Sequence, residues 1–113
     1  MKIENIKNAI IENGGVTLDA KTLENANLKT GYMVSLSGYE VITTIDNLTI
    51  NALIAHARIA HAIGGYVGLW LSKGKLYIDV SINENNLLKA LQMGYRENQL
   101  AIYDIENNKE IRV

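Results

Sequence analysis

The sequence predicts an α+β domain, a mostly antiparallel sheet with about three helices in the order α-ββ-α-ββ-α-ββ. Three observations predict it. Two alternating apolar-polar stretches each surround a turn dipeptide, Lys73-Gly74 and Asn107-Asn108, as hairpins do. Three other stretches space their apolar residues as helices do. The 113 residues suffice for one hydrophobic core and not for two, so the chain reads as a single domain, residues 1–113.

Each element has its own signal. In residues 2–13, Ile3, Ile6 and Ile10 fall on one helical stripe, and Gly14-Gly15 ends it. "VTLD" (16–19) reads as a short strand and "AKTLENANLKT" (20–30) as a loop. "GYMVSLSGYEVITTI" (31–45) is rich in Val, Ile, Thr and Tyr; it is either two strands joined near Ser37-Gly38 or one long bulged strand. "NLTINALIAHARIAHAIGG" (47–65) is a helix capped by Asp46, Asn47 or Thr49 and ended by Gly64-Gly65.

"YVGLWLSKGKLYIDVSI" (66–82) is the clearest local signal. A two-residue turn at Lys73-Gly74 sets Leu71 against Leu76, Leu69 against Ile78 and Val67 against Val80, all apolar and on one face. Trp70 then meets Tyr77, Gly68 meets Asp79, and Tyr66 meets Ser81 on the other. "NENNLLKALQMGYRE" (83–97) reads as a helix with Leu87, Leu88, Leu91 and Met93 inward. "LAIYDI" and "EIRV" form a last hairpin around Asn107-Asn108, which puts Tyr103 across from Arg112.

Composition narrows the function. A net charge of −1 argues against a binder of nucleic-acid backbone, which needs an excess of lysine and arginine, and against an acidic DNA mimic. Without cysteine there is no disulfide, thiol nucleophile or Cys-ligated zinc. The N-terminal stretch is periodic and interrupted by Glu4 and Glu12, unlike a signal peptide. Nothing approaches the run of about 18 apolar residues that spans a membrane. A soluble, cytosolic protein is expected.

Three constellations carry candidate chemistry. Trp70, Tyr77 and Tyr66 surround Gly68, with Asp79 opposite; a glycine inside a strand leaves a dent, and an aromatic wall beside a dent suits a flat ring such as adenine. The alternative is that this face packs on a helix or another subunit. Arg112 beside Tyr103 is placed either to anchor a phosphate through its planar fork or simply to stack on the tyrosine. Arg96, in "GYRENQ", is a second anchor, with Asn98 and Gln99 as neutral hydrogen-bonding neighbours.

The third constellation is the helix of 47–65. Asn51, Ala55, Arg58 and Ala62 share a face, and Arg58 and His61 are neighbours at i, i+3. Leu53, Ile54, Ala57, Ala60 and Ile63 cover most of the rest. So uncharged a helix is expected to be buried on more than one side, partly by another copy, with Arg58 at a subunit boundary facing a carboxylate or an anionic ligand. His56 and His61 lie about 140° apart around the helix and share no zinc edge. No GxSxG, HExxH or phosphate loop occurs, and no serine has a readable base partner. No catalytic residue, metal or cofactor is expected.

"TGYMVSLSGYE", "YVGLWLSKGKLYIDVSIN" and "LKALQMGYRENQLAIYD" resemble, in that order and spacing, small phage proteins of the first type of Thoeris anti-defence protein. The resemblance runs over roughly residues 14–113 and rests on strand and turn residues rather than a catalytic signature. It implies a sponge that binds, without cleaving, the cyclic ADP-ribose isomers that bacterial TIR-domain enzymes make on infection, in the cytoplasm of the infected host. It also implies assembly from dimers into hexamers, pockets at subunit contacts, and in some members separate sites for cyclic oligonucleotides. The family's aromatic, asparagine and arginine pocket chemistry falls here on Trp70, Tyr77, Asn83, Arg96, Gln99, Tyr103 and Arg112. Arg58 and His61 are candidates for a second ligand site. The competing expectations are a protein-binding inhibitor of a host defence protein and a small enzyme acting on a nucleotide.

Overall fold

The computed structural model describes residues 2–113. Helix α1 (Ile3–Asn13) buries Ile6 and Ile10, and Gly14 ends it in the left-handed conformation, its N–H donating to Ile10 O at 2.7 Å. Strands β1 (Gly15–Asp19), β2 (Tyr32–Ser35) and β3 (Val41–Thr43) follow. Thr49 caps helix α2 (Ile50–Ala62), its hydroxyl accepting from Ala52 N at 3.2 Å. Strands β4 (Tyr66–Ser72) and β5 (Lys75–Glu84) form the expected hairpin. Asn86 caps helix α3 (Leu87–Arg96), and β6 (Ala101–Asp104) and β7 (Lys109–Arg112) close the chain.

All seven strands join one sheet, in the order β1-β4-β5-β2-β6-β7, with β3 also paired to β5. Every pairing is antiparallel. The α+β class and mostly antiparallel sheet are as the sequence predicts; three strands rather than two separate α1 from α2. Residues 31–45 do form two strands. They do not pair with each other. β2 lies along the C-terminal half of β5 and β3 along its N-terminal half, because β5 has ten residues and neither partner is long enough to cover it.

The β4–β5 register matches the sequence pairing at every rung from Tyr66↔Ser81 to Leu71↔Leu76. Val67, Leu69, Leu76, Ile78 and Val80 are buried beneath α1 and α2, against Ile6, Ile10, Leu53, Ala57 and Ala60. Val34 and Ile102 continue the same face under α3, against Ala90. Among the described residues, all three helices therefore lie on one side of the sheet, and the pleat turns the alternate residues to the face opposite them.

Two side-chain expectations are corrected, for α3 and for the last hairpin. Leu87 and Leu88 do not point inward: Leu88 is 67% exposed. The helix begins only at Leu87, since β5 runs on to Glu84, and it packs through the small residues Ala90 and Gly94, with Leu91 and Met93 partly buried. On α2 the stripe buried within the chain is Leu53, His56, Ala57 and Ala60; Ile54 and Ile63 are exposed, on the part of the helix that the sequence reading leaves to another copy. Tyr103 lies across from Glu110, and Arg112 across from Ala101. The cause is a turn longer than Asn107-Asn108 alone: residues 105–108 form it, and Asp104 holds it by accepting from Asn107 N at 3.3 Å and Asn107 Nδ2 at 2.8 Å. Those donors hold the Asp104 carboxyl below its ordinary range.

Ile78→Ala opens a cavity in the centre of the larger core and should cost about 2–5 kcal/mol in urea unfolding. Leu88→Ala should stay within about 0.5 kcal/mol of wild type; a loss comparable to that of Ile78→Ala would mean that Leu88 is buried.

Candidate functional site

The helix-free face of the sheet carries the first group of candidate residues. Trp70 and Tyr77 oppose each other across β4 and β5, their rings stacked at 4.4 Å between centroids and 14° between planes. Ile42 of β3 is the next residue along that rung, and it is exposed. Trp70 is itself 43% exposed. The two rings spend one face each on the other, and the result is a half-open aromatic stack whose outer face is left to take a flat ring.

Two rungs away on the same face, Asp79 is only 5% exposed. Its Oδ2 accepts from Ser35 Oγ at 2.9 Å, while Oδ1, also buried, has no hydrogen-bond partner. Gly68 makes room for it: a Cβ there would collide with Asp79 Oδ1. The dent expected at Gly68 is thus filled by the carboxyl across the ladder. Burial pushes the Asp79 carboxyl above its ordinary value of 3.8. The Ser35 hydroxyl pulls it down, the Glu40 carboxylate pushes it up, and His56 and the Trp70 indole favour the charged form.

His56 is buried on α2 and ties the helix to the β2–β3 junction. Its Nδ1 lies 3.0 Å from Ala52 O and its Nε2 lies 2.9 Å from Tyr39 O. Both partners are acceptors, so a ring with one proton donates to only one of them. Sequence reasoning set His56 aside as a failed zinc ligand; its signal was its place three residues after Leu53, on the stripe that Ala57 and Ala60 continue.

Asn83 and Tyr103 flank Met33 in one cross-strand row. The Asn83 amide donates to Thr30 O at 3.1 Å and Met33 Sδ at 3.3 Å, and it packs over Gly31. Those contacts clamp the entry to β2. Tyr103 donates from its hydroxyl to Asn108 Oδ1 at 3.3 Å.

The second group meets beside the other end of the sheet. An open hollow of about 530 Å³ is lined by Tyr95, Asn98, Gln99, Leu100, Arg112 and Val113. It adjoins another of about 400 Å³ lined by Leu91, Gln92, Tyr95, Arg112 and Val113. Gln99 and Arg112 thus come together, with the Asn98 that the sequence reading set beside them. Tyr95 and Leu100, missed from sequence, are 79% and 78% exposed there. Their signal was two large apolar residues flanking a polar run at a helix end.

The remaining candidates stand apart. Arg96 is exposed at the end of α3 and lines neither hollow. Arg58 and His61 are exposed on α2, away from its buried stripe. Four inter-strand spacings separate Trp70 on β4 from Arg112 on β7, roughly 19 Å. One chain therefore does not close the aromatic plate and the arginine around one small molecule.

Among the described residues, no helix is long and apolar enough to cross a membrane, and no three His, Cys, Asp or Glu side chains are grouped to hold a metal. Comparison of the chain with family models, with curated proteins and with solved structures found no match.

A carboxyl whose folded value is raised adds most stability below its unfolded value, and that share is lost as pH rises through the folded value. Asp79→Asn should therefore gain on wild type as pH rises from about 4 to 7.5. The check is the wild-type-minus-variant difference in urea unfolding across that range; a difference that does not change with pH refutes it. Gly68→Ala should cost about 1–3 kcal/mol by overpacking, and Gly68→Ala with Asp79→Ser should recover part of the loss.

Proposed function

We propose that the protein is a phage-encoded anti-defence sponge. It binds cyclic ADP-ribose isomers, glycocyclic ADP-ribose among them, made by TIR-domain enzymes in the cytoplasm of the infected bacterium. It holds them without cleaving them. The observation that carries this reading is the Trp70–Tyr77 stack, which the described residues leave partly open, Trp70 being 43% exposed although it is the only tryptophan of the sequence. An adenine has a π-face to set against such a plate. The hollow beside Arg112, Gln99 and Asn98 offers what the rest of the ligand needs, a guanidinium for a pyrophosphate and neutral partners for ribose hydroxyls. The resemblance to the first type of Thoeris anti-defence protein points to the same ligand class.

A sponge needs affinity and no chemistry. Its site must take a dianionic ligand out of water, which favours a cleft closed from two sides. The two groups of candidate residues lie too far apart to meet on one ligand within a chain, so each ligand is held at one group and completed by another copy in a dimer or hexamer. Arg58 and His61, exposed on α2, are the candidates for a separate cyclic oligonucleotide site.

A second reading is a protein-binding inhibitor of a host defence protein. The observation that favours it is the amount of large apolar surface, with Ile42, Leu88, Tyr95 and Leu100 all exposed.

Native mass spectrometry with cyclic ADP-ribose isomers separates the two. The sponge gains ligand mass in whole steps and releases it unchanged on heat denaturation. No mass gain with any isomer, or release of a cleaved product, would overturn the reading. In calorimetry, Trp70→Ala and Arg112→Ala should each weaken binding about tenfold or more, or roughly 1.4 kcal/mol, with the fold intact; unchanged affinity in both means that the site lies elsewhere.

A further inference from the structure

Strand β7 ends the sheet: it pairs with β6 on one side, and its other edge is open. Val113 N donates to Leu100 O at 3.1 Å, so residues 109, 111 and 113 turn their backbone groups toward β6. Glu110 and Arg112 turn theirs outward. An open edge of this kind is a template for another strand.

A second copy related by a two-fold axis would pair antiparallel, β7 to β7. Hydrogen bonding requires outward-turned residues to face outward-turned residues, so the axis must pass through a residue and not between two. Centred on Lys109, Glu110 or Arg112, the pairing sets that residue against its own copy, and like charges directly opposite are destabilising. Centred on Ile111, it sets Glu110 against Arg112 of the other copy, twice, and Ile111 against Ile111. The side chains agree with this arrangement. Ile111 lies on the helix side and is partly buried against Val34, Ala90 and Ile102, and Glu110 and Arg112 share the open face with Tyr103 and Ala101.

We infer that β7 joins β7 of a second copy in the register centred on Ile111, making one continuous sheet with all helices on the same side. The hollows lined by Tyr95, Gln99 and Arg112 would then flank the axis. This pairing brings the two hollows together and leaves the Trp70–Tyr77 stacks at the far sides of the joined sheet, so it is one contact of the assembly proposed above and not the one that joins stack to hollow; it rests on the edge strand alone and holds whether or not a nucleotide binds.

The test uses charge reversal on the full chain without ligand, read as mass by native mass spectrometry and light scattering, with circular dichroism to check folding. Wild type is a dimer or a multiple of one. Glu110→Arg and Arg112→Glu each oppose like charges and should weaken the dimer at least tenfold. Glu110→Arg combined with Arg112→Glu restores opposite charges in the same register and should restore the dimer. A monomeric wild type, folded single variants that keep the wild-type mass, or a folded double variant that stays dissociated would overturn the inference. A wild-type dimer that takes up no cyclic ADP-ribose isomer would instead count against the ligand reading alone.

Discussion

The β5 ladder is the constraint on which the rest of the structure depends. Its ten residues are paired to β4 along one edge and to β3 and β2 in succession along the other. A strand paired on both edges must alternate cleanly, because its two faces meet different surroundings. Leu76, Ile78 and Val80 supply the side under the helices, and Tyr77, Asp79 and Ser81 the other. Helices α1 and α2 pack on what β4 and β5 bury, and β2 carries the ladder on to β6, β7 and α3.

The break between β2 and β3 follows from the same ladder. Leu36 N still donates to Val80 O at 2.9 Å, so the chain leaves its partner only after Leu36, one residue past the end of β2. The chain then bulges through residues 37–40 before β3 resumes. Two side chains from elsewhere hold that bulge. Glu97 accepts from Ser37 N at 2.9 Å, and the His56 ring meets Tyr39 O. Helices α2 and α3 are thereby tied to one short junction at the middle of the sheet, which explains a buried histidine on an otherwise apolar helix stripe.

Placing all helices on one side leaves the other face to polar and aromatic side chains. Asp79 shows what this costs: a carboxylate taken out of water with one oxygen bonded to Ser35 and the other to nothing. It sits beside the Trp70–Tyr77 plate, where a binding role for the face would use polar groups of known position. The candidate residues divide between this plate and the hollow by β7. A small ligand needs one of these places and a second wall, and the open β7 edge is where a second copy would bring one.

The local pattern of residues by itself determined the α+β class, the three helices, both hairpins and the β4–β5 register. It did so because alternation and turn chemistry act over a few residues and leave few choices. The stacking of Trp70 on Tyr77 and the opposition of Gly68 and Asp79 were legible for that reason. Only the tertiary structure decided that β2 and β3 share one partner, that α3 buries Ala90 and Gly94 rather than Leu87 and Leu88, and that the last hairpin pairs Tyr103 with Glu110. Those outcomes depend on contacts between segments far apart in the chain, and on a longer turn that Asp104 stabilises. The separation of Trp70 from Arg112 belongs with them, since strand order in a sheet is set by which edges remain free once the central ladder has formed.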